Sequence, residues 1–447
     1  MRRFRFFVKR GTDSWGFWYA KGRMPGILGL LAGTEEDGLK FILLTQYYPP
    51  EPGAASIRLQ AMARQLIRYG HQVTVVTAQA HHLGAKEKDG RGSLRAYRET
   101  IQGIPVIRAW IWRVRPGRFW LRLINYFSFV VTSFFALWRA GAADYVIVES
   151  PPLFLGMTAW AYQTLRGVPY ILSVSDLWPE SAVALGLVTQ PTVIRLARRL
   201  EWFLYRHAAF VSGVTQGILD GIRDTGQVPP HRLLFFPNGV DPAVFRRGDP
   251  DSELRRRMKP EHYKIFLYPG TLGYAQGLTI ILDAADHLRQ RSDIRFLLVG
   301  DGPVRAELIR QVDQRGLTNV WFEPLQPADR MPQYFALARA VVVPLRRHPL
   351  FRGARPSKVF PAWAAGVPVI YCGEGEMAEL VEEAEAGRVV PPEDGEALAQ
   401  AVVDLADLPD AEWTVLSHNG ERFVREHYTW DRIGDAWIQA FHAGLRA

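Results

Sequence analysis

The sequence predicts an α/β fold in which two parallel-sheet halves face each other across a cleft. Three observations carry that prediction. Short apolar runs alternate with helical periodicity from Lys40 onward. The alternation restarts after "PNGVDPAVF", and a proline- and charge-rich segment, "PNGVDPAVFRRGDPDSEL", separates the two series. At 447 residues the chain is longer than one ordinary domain, and its hydrophobic share of 48% is ample for two cores.

In the first series "KFILLT" is a continuous apolar run of buried-strand length. "YYPPEPGAAS" breaks it, and Ser56 is placed to cap the helix that follows. Within that helix Leu59, Met62, Ala63, Leu66 and Ile67 recur at helical spacing, and Gly70 stands where a C′ glycine belongs. "HQVTVVT" is the returning strand, and a helix between two apolar strands implies a right-handed crossover in a parallel sheet. "DYVIVES", "VPYILSV" and "AFVSGVT" continue the series. The second series runs "YKIFLYPG", a helix from Leu278, "IRFLLVG", a helix from Pro303, "RAVVVPL", a helix near Phe360, and "GVPVI". Both are Rossmann-like, so ligands are expected at the C-terminal ends of the strands. The expected divisions are a poorly ordered extension over 1–39, a first Rossmann-like domain over 40–236, and a second over 237–412. The aromatic-rich helices of 413–447 are expected to pack across the domain boundary.

Fifty-four Lys and Arg against 45 Asp and Glu give a net charge of +9, which favours anionic partners such as sugar nucleotides or acidic lipid headgroups. Nucleic acid ranks last, since no RNP-like, zinc-finger or helix-turn-helix signature is present. Cys372 is the sole cysteine, which excludes an intramolecular disulfide and fits a reducing cytoplasm. At the N-terminus, "MRRFRFFVKR" and the apolar "GILGLLAG" read as a start that precedes the folded domain, with a basic membrane-touching tail as the alternative. "WLRLINYFSFVVTSFFALWRA" holds 16 uncharged residues between Arg122 and Arg139, slightly short for a spanning helix. Asn125, Ser128 and Thr132 fall on one helical side, and Trp120 and Trp138 bracket the segment. A packed or surface-apolar helix, a monotopic membrane contact and a true span stay open there.

The turns carry the chemistry. "YYPPEPGAAS" puts Gly53 at a helix N-terminus, where backbone amides can approach a bound group. Asp176 in "SVSDLWPES" either caps a helix entered at Pro179 or orients an acceptor hydroxyl at the cleft mouth. "LYPGTLGYAQG" and "LVGDGPVRAEL" place glycines where strands become helices, but neither is a dinucleotide fingerprint or a phosphate loop. "FRGARPSKVFPAWAAGVPVI" is more pointed. Ser357 is placed to cap, and Lys358 enters the first turn beside Arg352, so positive charge converges on one turn. Pro361 is tolerated only within a first turn, so the helix is expected to begin close to Ser357. Asp249 and Asp251 form a D-x-D inside the linker, and His81 and His82 lack a ligand-spaced partner, so no metal is expected.

Taken together these residues resemble the family 4 glycosyltransferases of the GT-B fold, over nearly the whole chain from about residue 40 to the end. The carrying pieces are "YYPPEPGAASIRLQAMARQLIRYGHQVTVVT", "SDLWPESAVALG", "PNGVDPAVF", "YPGTLGYAQG", "LVGDGPVRAEL", "PLFRGARPSKVF" and "AWAAGVPVI". "DLWPES" and "FRGA-x-PSK" are similar to the branch of fucosamine-type transferases of bacterial surface-polysaccharide assembly. The resemblance implies retaining, metal-independent transfer of a sugar, an acetamido or deoxy sugar in this branch, from a nucleotide donor, most often UDP-linked. The implied acceptor is a glycan on a polyprenyl diphosphate, met by peripheral contact at the inner face of the cytoplasmic membrane. No cofactor is implied beyond the nucleotide-sugar co-substrate. Donor contacts would fall to Gly270, Gly273, Gln276, Arg352, Ser357, Lys358 and the position of Pro361. Gly53, Asp176 and Glu180 would face the acceptor, with Asp176 and Lys358 the residues closest to the chemistry. The wider family carries two glutamates eight residues apart, the second gripping the donor ribose, and here those positions read Gly353 and Pro361. An Arg and a Lys that usually touch the diphosphate are replaced by Thr271 and Gln276. Those departures keep two alternatives in view, a catalytically silent sugar-nucleotide-binding partner of another transferase and a sugar-nucleotide epimerase.

Overall fold

The computed structural model describes residues 38–51, 53–79, 95–112, 119–226 and 228–447, with the side chains of 119–123 and 226 left aside. The N-terminal extension up to residue 37, His81, His82 and the Trp120 side chain lie outside the described residues. The fold is that of the unit Leu39–Ala447.

The first half holds an eight-stranded sheet made from β1 (Lys40–Leu44), β2 (Gln72–Ala78), β3 (Tyr97–Ile101), β4 (Ile104–Ala109), β5 (Tyr145–Ser150), β6 (Tyr170–Val174), β7 (Phe210–Gly213) and β8 (Leu233–Phe235). Their order is β3-β4-β2-β1-β5-β6-β7-β8. Every pairing is parallel except β3 with β4. That antiparallel hairpin is absent from the sequence expectation. It turns at Gln102 (φ 51°) and Gly103 (φ 82°), the two positive-φ positions that a tight hairpin needs. The second half holds a six-stranded, fully parallel sheet of β9 (Lys264–Pro269), β10 (Ile294–Val299), β11 (Val320–Glu323), β12 (Ala338–Pro344), β13 (Val369–Cys372) and β14 (Gly387–Val390). Its order is β11-β10-β9-β12-β13-β14. In each sheet the chain reverses its direction of growth beside one strand, β1 in the first and β9 in the second, which sets a crevice at those strands' C-terminal ends.

Local chemistry explains most element ends. The helix Ala54–Arg68 closes on Gly70 (φ 81°), whose amide donates to Ile67 while His71 donates to Leu66, a Schellman closure. Its start differs from expectation: Gly53 holds the N-cap position, and Ser56 lies buried inside the first turn instead of capping. The linker D-x-D resolves into an N-cap, with Asp251 Oδ1 accepting from the Leu254 amide at 2.8 Å. Each sheet is covered on both sides by apolar clusters. Of the stretch expected to cross the boundary from Trp413, the helix Asp410–His427 stays with the second half, placing Phe423 and Val424 in its core. Only the helix Trp430–Arg446 crosses. It buries Ile433, Trp437 and Phe441 against the first sheet.

Candidate active site

Gly270 follows β9 with φ 118°, a conformation that L side chains rarely adopt, and so turns the chain at the crevice. A Cβ built on Gly300 would come 1.8 Å from the Gly270 carbonyl oxygen, so the two turns touch through bare backbone. The Lys358 side chain reaches the same spot: a Cβ on Gly270 would stand 3.7 Å from Lys358 Cε and 3.9 Å from Nζ. Lys358 Nζ donates to Tyr268 Oη at 2.7 Å and lies 4.0 Å from the Tyr268 ring centroid. Tyr268 Oη in turn donates to the Thr271 carbonyl at 2.6 Å, which leaves its lone pair for the ammonium. Among the described residues no carboxylate lies within ion-pair distance of Lys358. Lys358 keeps some accessible surface, but its ammonium is walled by protein and paired only with a neutral phenol. That loss of water draws its pKa down to about 7.

Ser357 does not cap. The helix is Val359–Ala364, Lys358 holds the N-cap position, and no side chain bonds the free amides. Pro361 is the third helical residue, where its missing N–H costs no internal hydrogen bond. Gln276 folds its Oε1 over Gly273, where a Cβ would approach to 2.6 Å, so that pair forms the next stretch of the same rim. Arg352 stands apart, with its side chain 63% exposed and Glu374 the nearest carboxylate at 3.9 Å. The structure therefore joins Gly270 to Lys358 and Gly273 to Gln276, while among the described residues no side-chain hydrogen bond or ion pair joins Arg352 or Ser357 to Lys358.

On the facing half, Asp176 follows β6 and opens to solvent. It does not cap the helix Glu180–Ala184, whose N-cap position is Pro179 without a side-chain bond. Crowding by surrounding protein lifts its carboxyl to about 6; Arg58 opposes that lift, and Glu149 adds to it. Beneath it lies a buried network that the sequence did not announce. The Arg58 guanidinium donates to the Glu149 carboxylate and to the Ser175 hydroxyl, the Ser175 hydroxyl donates to Glu149, and Arg58 also reaches Asn238 Oδ1 at 3.3 Å. It ties the first helix, the ends of β5 and β6, and the linker into one floor. Gly53, φ 131°, stands at the helix entrance with open space around it. Glu180 is half-buried and bound to Arg198 Nε at 2.6 Å, so it is engaged with its own half instead of standing free for an acceptor.

The halves meet at one end of the crevice. The Glu376 carboxylate accepts from the Gln216 amide at 2.9 Å and the Gly217 amide at 3.0 Å, at the start of the helix Gln216–Gly226. Arg355 pairs with the same carboxylate and donates to Tyr428 Oη at 3.0 Å. A Cβ on Gly217 would come 2.5 Å from Gly353 Cα, so backbone touches backbone across the boundary. The glycine that replaces the family's first glutamate thus allows this approach.

Known proteins agree with this architecture. Residues 53–239 match the family model described as a glycosyl transferase 4-like domain, and residues 263–407 match glycosyl transferases group 1. WcaI of Escherichia coli (strain K12), named as a colanic acid biosynthesis glycosyl transferase, is 29% identical over 382 residues, spanning 83% of this chain and 93% of that protein. Sucrose-phosphate synthase from Thermosynechococcus elongatus superposes with a TM-score of 0.70 at 20% identity, over 90% of this chain and 98% of the other. HepE of Anabaena, solved in complex with UDP-glucose, gives 0.68 at 17% identity over 91% and 100%. Two matched halves in sequence order, on two facing parallel sheets, place this chain among the family 4 glycosyltransferases of the GT-B fold.

Proposed function

We propose that this glycosyltransferase moves a sugar, an acetamido or deoxy sugar, from a UDP-linked donor to a lipid-linked glycan acceptor in cell-surface polysaccharide assembly, with retention at the anomeric carbon. The donor belongs to residues 237–412 and the acceptor to residues 40–236, with the helix Trp430–Arg446 bridging them. The observation that carries the donor half of this reading is Lys358: an ammonium held in a crevice at a strand end, without a carboxylate, lacks its counter-anion. A donor diphosphate supplies it. In the transfer the bond from the anomeric carbon to the diphosphate breaks and a bond to the acceptor oxygen forms on the same side. The acceptor proton passes to the departing phosphate oxygen, and Lys358 takes up the charge that develops there. Asp176, across the crevice at the floor made by Arg58 and Glu149, orients the acceptor hydroxyl. UDP in HepE and the colanic acid role in WcaI's name support the donor and pathway class. Peripheral contact with the inner face of the cytoplasmic membrane follows from a polyprenyl acceptor.

The test is incubation of the purified chain with a series of UDP-sugars and a polyprenyl-diphosphate glycan. Glycosylated acceptor is the expected product. Donor binding without turnover would instead mark a silent nucleotide-sugar binder, and change in the donor without any acceptor would mark an epimerase.

A further inference from the structure

The helix Phe119–Ala140 is inside out for a helix on a protein surface. Its side chains Asn125, Ser128 and Thr132 face the protein. Asn125 is buried, donating to the Trp112 carbonyl at 2.7 Å and accepting from Gln46 at 2.8 Å. Ser128 accepts from the Trp112 amide at 2.9 Å, and Thr132 donates to the Trp110 carbonyl at 2.5 Å. The outward side is apolar: Phe127, Val131, Phe135 and Trp138 are all exposed, Phe135 by 63%. An ordinary amphipathic surface helix has the opposite arrangement.

Neighbouring helices extend the apolar area. The helix Leu155–Arg166 is bound to it through Thr158 Oγ1, which donates to the Val130 carbonyl at 3.1 Å, and it exposes Leu165 by 63%. The helix Pro191–His207 packs on that one through Trp160 and Phe203, 5.1 Å between rings, and exposes Leu196 by 68% together with Trp202. Cations border these residues. Arg166 lies 4.7 Å over the Trp138 ring and Arg206 4.5 Å over the Trp202 ring, while Arg139, Arg195 and Arg199 are exposed between them. The only acid in the three helices is Glu201, and it is buried. Among the described residues no helix is long and apolar enough to cross a membrane.

We propose that this three-helix surface docks onto an anionic lipid bilayer, its aromatic and aliphatic side chains entering the headgroup boundary and its arginines pairing with lipid phosphates. The combination of apolar side chains with a cationic border, in which Arg198 alone is paired with an acid, Glu180, among the described residues, matches the two signals that stable interfacial attachment requires. Arginine stacked on an exposed indole suits the level where hydrocarbon meets headgroups. Ring contacts lead from this surface toward Asp176. Phe127 meets Phe154 at 4.6 Å, and Phe154 meets Trp178 at 5.7 Å, two residues from Asp176. A polyisoprenoid acceptor held in that bilayer thus has an aromatic path to the sugar-transfer site. This rests on the lipid-linked acceptor of the reading above only for that path; the docking itself stands without it.

Co-sedimentation of the full chain with vesicles containing phosphatidylglycerol tests the proposal. Binding is expected, weaker on pure phosphatidylcholine and weakened by salt. The double variant Phe135→Glu with Leu196→Glu, which keeps the basic N-terminal residues, is expected to lower partitioning by about tenfold to hundredfold. Its UDP affinity, measured by calorimetry, should equal that of the parent chain, which also shows that the variant is folded. Equal vesicle binding by the variant overturns the proposal, as does parent chain that stays in the supernatant. A parent dimer that the variant converts to monomer would assign the surface to a second copy of the chain instead. Loss of UDP binding by the parent chain would count against the donor site alone.

Discussion

Among the described residues Lys358 donates to one acceptor, the Tyr268 phenol, and in the proposed reading its counter-anion is the donor diphosphate. Replacement by alanine removes a charge-assisted contact of about 1.5–3 kcal/mol, and the UDP dissociation constant is expected to rise roughly tenfold to hundredfold. The unfolding midpoint should barely move, because no carboxylate is left unpaired. The pH dependence follows from the same burial. Burial draws the ammonium's pKa down to about 7, well below an ordinary lysine, and in the proposed donor role nucleotide binds the protonated form. Below about pH 7 the charge is already present; above it, each binding event takes up a proton and affinity falls, by up to about tenfold per pH unit. Calorimetry in two buffers of different ionisation enthalpy should detect that uptake near pH 8, and the Lys358→Ala variant should lack it. Pro361→Glu is the converse experiment. A carboxylate at the third helical position restores the family's ribose contact and should tighten donor binding by about tenfold, whereas unchanged affinity would show that this turn presents a different residue to the ribose.

At the level of elements, the close approach of Gly217 to Gly353 lets the start of one helix in the first half rest on the turn Pro349–Gly353 of the second. Alanine at 217 would drive its Cβ into backbone that cannot swing aside, at a cost of about 1–3 kcal/mol. The expected result is a larger radius of gyration in small-angle scattering and slower turnover; an unchanged radius would show that the contact does not hold the halves together. The parallel alternation, the Schellman end at Gly70 and the first-turn position of Pro361 were legible in the sequence, because each is fixed by local periodicity or by one residue's backbone freedom. The hairpin at Gln102 and Gly103 carried its turn signal in "IQGI" but lacked flanking apolar runs of strand length. Asp176 and Ser357 both looked like caps and bond no helix amide, since capping depends on where the turn begins and not on residue type alone. The pairing of Arg58 with Glu149 and that of Glu376 with the Gly217 amide join residues distant in sequence. No local pattern encodes such contacts. Tyr268, which orients Lys358, read only as the end of an apolar strand.

For the molecule as a whole, the last helix is what makes two sheets one unit. Trp437 donates to Ser212 Oγ at 3.3 Å, and Phe441 packs on Phe41, Tyr145 and Phe210 in the first half's core. Just before that helix, the Val240 amide donates to the Tyr428 carbonyl at 3.0 Å, clasping the linker. Trp437→Ala empties a fully packed site and is expected to cost about 3–5 kcal/mol, read as a lower urea midpoint. The crevice this clasp defines has Lys358 on one wall, with no carboxylate within ion-pair distance among the described residues, and Asp176 on the other, and its use as a donor site is the claim on which the mechanism rests. A crystal structure of the complex with UDP tests it most directly. The account predicts a diphosphate oxygen within about 3 Å of Lys358 Nζ, beside the Gly270 turn. A diphosphate bound elsewhere, or Lys358 turned away into solvent, would contradict it.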